Sequence, residues 1–326
     1  MSMNEVIVYE KERFSMESSL IQNTDFDFAS VVDKLCAPEF GPDLLKKLST
    51  THRQLPSRNT IMDIMEKVRL VLFPGYFGHS ELSAKSIRYH VGSSLDHIHR
   101  ELREQVRRGF CFECGHFGIG CPECEEKAEK ITLGFLRALP QVQSRLAWDI
   151  QAAYDGDPAA TSRDEVLFCY PGVHAVTYYR IAHLLHELKV PIIPRIITEQ
   201  AHSMTGIDIH PGARIGDYFF IDHGTGVVIG ETCVIGDRVR IYQGVTLGAK
   251  SFPLDIHGKP VKGIDRHPVV GDDVIIYSGA TILGNIKIGR GSVIGGNVWI
   301  TRDVPEGSII SQRTAKHEKF EHGSGI

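Results

Sequence analysis

Val270–Ile300 reads VGDDVIIYSGATILGNIKIGRGSVIGGNVWI. Every sixth position is aliphatic: Val270, Ile276, Ile282, Ile288, Ile294 and Ile300. A period of six fits neither the helical repeat of about 3.6 nor the alternation of one long strand. It marks a parallel β-helix, in which each hexapeptide is a short strand plus a turn and the aliphatic side chain stacks on its counterparts in the coils above and below. Glycine follows many of these positions and suits corners that a Cβ would hinder. The beat also runs upstream, through Ile209, Ile215 and Ile221, then after a slip of two residues through Ile229, Ile235, Ile241 and Leu247. One interruption, between Leu247 and Val270, carries three prolines, three lysines and two histidines. A long loop leaving a rigid solenoid points to function.

Before Ile207 the texture is helical. Residues 1–25 are polar and aperiodic, and disorder is expected there. Helical apolar spacing runs from Phe26 to Thr51, Asn59 to Leu72, Glu81 to Arg108, Glu125 to Ala153, and Val173 to Met204, the last interrupted by Pro191 and Pro194. The expected fold is α+β. After the disordered start it has an α-helical domain over 26–205 with a Cys-rich connector at 111–124, then a β-helix over 206–310 with a loop insert at 249–269, and a tail over 311–326.

The 326 residues are 42% hydrophobic and 23% charged, with a net charge of −4, so no basic footprint for nucleic acid exists. No apolar run approaches the ~20 residues that cross a bilayer, and the N-terminus has no signal core, so the expected location is cytoplasmic, with no membrane partner. Seven cysteines are present. Four cluster in CFECGHFGIGCPEC, as Cys111, Cys114, Cys121 and Cys124. Two C-x-x-C pairs suit a tetrahedral zinc site; an iron–sulfur cluster, a redox pair and inert thiols remain as alternatives.

The repeat carries narrower motifs: DIHPGARIG from Asp208, IDHGTGVVIGET from Ile221, YQGVTLG from Tyr242, DRHP from Asp265 and GATILGNIKIGRGSVIG from Gly279, preceded by DPA at Asp157 and GVHAVTYYRIAH at Gly172. In this order they resemble the serine O-acetyltransferases of the hexapeptide-repeat acyltransferase superfamily, over roughly residues 150–305. The resemblance implies a left-handed β-helix behind a helical domain, assembled as a homotrimer or a dimer of trimers with active sites between neighbouring subunits. It implies acetyl transfer from acetyl-CoA to the hydroxyl of L-serine, without a covalent intermediate, in cysteine biosynthesis.

A serine hydroxyl needs a base as it attacks a thioester, and histidine suits that role near neutral pH. The resemblance places His223 as base, Asp208 as its orienting carboxylate, 15 residues earlier, and His267 as the second histidine of the site. Arg266 would hold the serine carboxylate, and Asp157 and Asp222 its amino group. Backbone donors at Gly248 and Ala249 would bind the oxyanion. The family often has Gly-Gly at these two positions. The pantetheine arm would pass the small positions Ser278, Gly279, Gly295 and Gly296, with Lys259 and Lys262 of the insert near the phosphates. His210 is expected to pack at the first coil, and Cys233 to be structural. Cysteine would act as a feedback inhibitor in the serine pocket, and a tail ending in Gly-Ile, at Ile326, could enter O-acetylserine sulfhydrylase. Three rivals stand beside this reading. They are a sugar acyltransferase on the same solenoid, a zinc carbonic anhydrase, whose converging histidine spacing is missing, and a scaffold that regulates the sulfhydrylase without catalysis.

Overall fold

A computed structural model describes residues 27–36, 55–78, 82–83, 85–114 and 121–312. The expected disordered start and the C-terminal residues from 313 on lie outside them, as does most of the Phe26–Thr51 helical stretch. Contacts divide the chain into two units, Met1–Arg53 and Gln54–Ile326. In the first, α1 (Phe28–Cys36) is described, with the Asp27 carboxylate accepting from the Ala29 N–H at its start.

The described residues of the second unit form six helices and fourteen strands. The helices are α2 (Arg58–Leu72), α3 (Ser86–Cys114), α4 (Pro122–Gly156), α5 (Arg163–Cys169), α6 (Pro171–Glu187) and α7 (Ile193–Thr205). Their limits follow local chemistry. Ser57 and Ser162 cap α2 and α5, prolines open α4 and α6, and Gly206 ends α7 in the left-handed region. The expected helix to Arg108 runs on to Cys114, and its successor begins at Pro122. The Cys-rich stretch is therefore not simply a connector. Each C-x-x-C pair lies at a helix end, and only 115–120 between them fall outside the described residues.

From Asp208 onward come two- and three-residue strands, β1 (Asp208–Ile209) to β14 (Ile309–Ile310). Each pairs in parallel with the strand three earlier or later, except that β14 pairs with β12. The chain thus visits three sheets in rotation, ordered β1-β4-β7-β10-β13, β2-β5-β8-β11 and β3-β6-β9-β12-β14. This is a parallel β-helix. The aliphatic beat forms three buried columns: Ile209, Ile229, Leu247, Ile282 and Ile300; Ile215, Ile235, Val270 and Ile288; Ile221, Ile241, Ile276 and Ile294. Most exits from the third sheet turn back into the first through four residues, as Tyr242–Val245 do between β6 and β7. The turn from β3 to β4 takes six, Asp222–Val227, and this is the slip of two in the beat.

Helices and coil are pinned together at the first turns. Arg180 of α6 donates from Nε and Nη2 to the Asp149 carboxylate of α4 at 2.5 and 2.8 Å. It also donates to the carbonyls of Ile215 (3.3 Å) and Gly216 (2.7 Å), while the Phe219 N–H donates to Asp149 at 3.0 Å. Tyr179 adds a bond from its hydroxyl to the Ala213 carbonyl at 2.6 Å. At the start of α6 the backbone comes so close to β3 that a Cβ on Gly172 would stand 2.2 Å from the Ile221 carbonyl oxygen. Neither partner is a flexible side chain, so Gly172→Ala must push helix and strand apart. A loss of about 1–3 kcal/mol in chemical denaturation is expected, together with displacement of the Asp222–His223 turn that follows β3.

Candidate active site

The long turn after β3 presents His223. Its backbone is left-handed, φ +56°, a region histidine tolerates better than most residues. Its side chain is 70% exposed, and Nδ1 lies 3.8 Å from Oδ1 of Asp222, an ion-pair distance rather than a hydrogen bond. Asp157 caps the end of α4 nearby. Its carboxylate accepts from the Tyr170 hydroxyl and from the Ala159 N–H at 2.8 Å. These bonds, Tyr170 first, and then the neighbouring His223, hold Asp157 below the usual carboxylate range. Burial, then Asp157, pushes Tyr170 up, so the phenol stays a donor. Tyr170 was not foreseen. Its only sequence signal is an aromatic residue just before the proline that opens α6.

Asp208 stands on β1 with no hydrogen bond or ion pair to His223 among the described residues; the carboxylate paired with the imidazole is Asp222. The expected His223–Asp208 pair is therefore not formed in the single chain.

His267 and Arg266 lie on a different corner, where the first sheet passes to the second. The loop 249–268 leaves and returns there, between β7 and β8. His267 is buried, and its Nδ1 accepts from the Thr232 N–H at 3.1 Å, with the Thr232 hydroxyl 2.8 Å away. An accepting Nδ1 puts the ring proton on Nε2. Burial, then Arg266, pushes this histidine down, so it is neutral near pH 7. Thr232 Oγ1 also accepts from the backbone N–H groups of Arg266 (3.0 Å) and His267 (3.2 Å). Arg266 itself pairs with Glu231 at 2.6 Å. His210, on the same corner two coils before His267, accepts from the Gly212 N–H at 3.0 Å and is pushed down to about 4 by burial, so it is bound into its own turn.

Gly230 makes room for His267: a Cβ there would lie 2.1 Å from the imidazole Cδ2. Gly230 and Thr232 were missed, and nothing in the IGET stretch betrays a partner 35 residues on. Gly230→Ala is expected to displace the imidazole and lower turnover by about 100-fold, with little change in denaturation midpoint, as read by steady-state kinetics beside unfolding curves.

The remaining expected positions are also placed. Gly248 ends β7, and the Ala249 N–H has no acceptor among the described residues. Ser278 and Gly279 occupy the His223 corner two coils on, and Gly295 and Gly296 three coils on. Glycine at 279 has an internal reason, since φ is +71° and a Cβ would meet Asn297 Oδ1 at 2.2 Å. Cys233 is buried, its thiol directed at the Leu247 carbonyl at 3.4 Å. Cys111, Cys121 and Cys124 bring their sulfurs within 4.8 Å of one another. No described helix is long and apolar enough to cross a membrane.

Residues 267–302 match the family model for bacterial transferase hexapeptide (six repeats). Over 302 residues the chain is 53% identical to a plasmid serine acetyltransferase of Synechococcus elongatus, covering 91% of this chain and 94% of that one. The chain belongs to the serine acetyltransferase family. A Mycobacterium tuberculosis serine acetyltransferase is 51% identical over 162 residues, 50% of this chain and 67% of that one. Among solved structures, serine acetyltransferase 1 of Entamoeba histolytica in complex with L-cysteine aligns with a TM-score of 0.67 at 41% identity, covering 76% of this chain and 86% of that one. This acetyltransferase therefore carries the side chains of the candidate site in two places, Asp222 and His223 on the turn after β3 with Asp157 at the end of α4, and Glu231, Arg266 and His267 on the corner between the first and second sheets.

Proposed function

We propose that the protein transfers the acetyl group of acetyl-CoA to the hydroxyl of L-serine in a site completed between two copies of the chain. The observation that carries this reading is the exposed His223 imidazole, held in a left-handed turn beside Asp222 and Asp157. His223 takes the hydroxyl proton as serine Oγ attacks the thioester carbon, and the same imidazolium returns a proton to the departing CoA thiolate. Asp222 stabilises the imidazolium, Asp208 joins it only once the site is assembled with substrate, and ionised Asp157 with Asp222 receives the serine ammonium. Tyr170→Phe is expected to raise the KM for serine several-fold with a smaller effect on kcat, because it frees the Asp157 carboxylate to turn away.

Arg266 and His267 come from the neighbouring copy. The guanidinium exchanges Glu231 for the serine carboxylate, and the neutral His267 donates from Nε2. The loop 249–268 supports such an assembly. Phe252, Leu254 and Ile256 are exposed on it, and Ile256 is 95% exposed, apolar surface that a second copy would cover. The N–H groups of Gly248 and Ala249 serve the oxyanion. The pantetheine arm follows the corner of Ser278, Gly279, Gly295 and Gly296, and Lys259 and Lys262 meet its phosphates.

The same reading makes the coil left-handed, the assembly a trimer or a pair of trimers, the location cytoplasmic, and cysteine an inhibitor in the serine pocket. It gives the tail ending in Ile326, outside the described residues, a role in docking to O-acetylserine sulfhydrylase. It leaves the four clustered cysteines as a metal site apart from the acyl transfer. The test is acetyl-CoA-dependent formation of O-acetylserine, with and without cysteine and against a panel of sugars. Turnover on a sugar but not on serine would overturn it.

A further inference from the structure

α3 and α4 pack side by side, and their adjoining ends each carry a C-x-x-C pair. Cys111 and Cys114 lie in the last turn of α3, Cys121 caps α4 and Cys124 lies in its first turn. We propose that these four thiols form a tetrathiolate site for a single zinc ion that staples the two helix ends. The proposal deepens the reading of the cluster as a metal site and is independent of the acyl-transfer chemistry.

Three sulfurs, those of Cys111, Cys121 and Cys124, lie within 4.8 Å of one another, and Cys114 Sγ is 3.7 Å from Cys124 Sγ. Zinc binds thiolates at about 2.3 Å, so a tetrahedral site places its sulfurs about 3.8 Å apart. The Cys114–Cys124 separation already matches. Cys114 directs its thiol at the Cys111 carbonyl, 3.7 Å away, and the proposed site requires its side chain to rotate toward the other three sulfurs. Sulfurs this close leave room for one ion but not for a cluster of several irons, which would hold its four ligands further apart.

The surroundings fit the charge such a site carries. One zinc with four thiolates has a net charge of −2. Arg107 donates from Nη1 to Cys111 Sγ at 3.8 Å, and the Lys127 ammonium lies 3.9 Å from the centre of the Phe110 ring, next to Cys111. Cys121 and Cys124 sit at the positive end of a helix of 35 residues. Cys111 and Cys124 are buried, which shields half of the ligand set from exchange.

One ion accounts for all four thiols at the hairpin end. A disulfide would join two of them and leave two behind. An ion uses all four and fixes α3 against α4 across the segment 115–120.

The full-length protein, purified without chelator, is expected to contain one equivalent of zinc per chain. Cobalt reconstitution is expected to give thiolate-to-cobalt charge-transfer bands and the d–d bands of a tetrahedral centre. C121S/C124S should lose both. In case that variant fails to fold, titration of the wild-type protein with a mercurial provides a second reading, with zinc release tracking modification of four thiols. Protein free of metal, iron in place of zinc, a cobalt spectrum without thiolate bands, or full zinc retention in C121S/C124S would each overturn the site. Acetyl transfer assayed on the same samples reports on His223 separately, so the two readings fail independently.

Discussion

His223→Asn is expected to lower turnover by about 10²–10⁴-fold while leaving the coil intact. Asparagine is the informative replacement because it tolerates the left-handed backbone at φ +56°, where alanine would add strain of its own. The side chain is largely exposed and makes no hydrogen bond among the described residues, so its removal leaves no buried group unpaired. Loss of kcat with near-normal KM values and an unchanged denaturation midpoint is the expected pattern. A variant retaining more than a tenth of wild-type turnover would remove His223 from the role of base.

Arg180→Met is expected to produce the largest loss of stability. The guanidinium and the Asp149 carboxylate are both almost fully buried, and between them they tie α4, α6 and the first coil together. Removing the cation leaves Asp149 as an uncompensated buried charge and orphans the carbonyls of Ile215 and Gly216. The expected cost is about 3–5 kcal/mol, which at this chain length lowers the thermal midpoint by roughly 10 °C. Pairing it with Asp149→Leu should recover much of the loss, because an apolar pair of similar volume is close to neutral or better at such sites. If Arg180→Met unfolds at the wild-type midpoint, the pinning role is wrong.

The β-helix was legible because its core repeats. Each aliphatic position in the six-residue beat stacks on the next coil, so a purely local pattern carries three-dimensional information. The slip of two after Ile221 was legible as a count but not as a meaning. It is the enlarged turn that projects His223, and only the position of the strands on either side shows it. The helical half was read coarsely for the opposite reason. Its spacing located the helices, but the residues that fix their docking, such as Arg180 and Asp149, act through partners 31 to 70 residues away.

The site was legible as residue types and not as an arrangement. Motifs gave His223, Asp222, Asp157, Arg266 and His267, and no motif says that one chain splits them between two corners. Gly230 and Tyr170 escaped because each acts through a single distant contact, with His267 and with Asp157. The carboxylate expected to pair with His223 is Asp208, and in the single chain the carboxylate near the imidazole is Asp222, at 3.8 Å. The cysteine cluster shows the converse: its spacing was conspicuous, but only the neighbouring helix ends bring the sulfurs of Cys111, Cys121 and Cys124 within 4.8 Å of one another, with Cys114 beside Cys124.

The most direct test of a site shared between copies is co-expression of His223→Asn with His267→Asn. Each variant alone is expected to be nearly inactive. If neighbouring copies each supply one histidine, random mixing in a cyclic trimer leaves about one interface in four with both intact, so the mixture should recover about a quarter of wild-type acetyl transfer. A mixture as inactive as either variant alone would contradict the shared site and place both histidines in the service of a single chain.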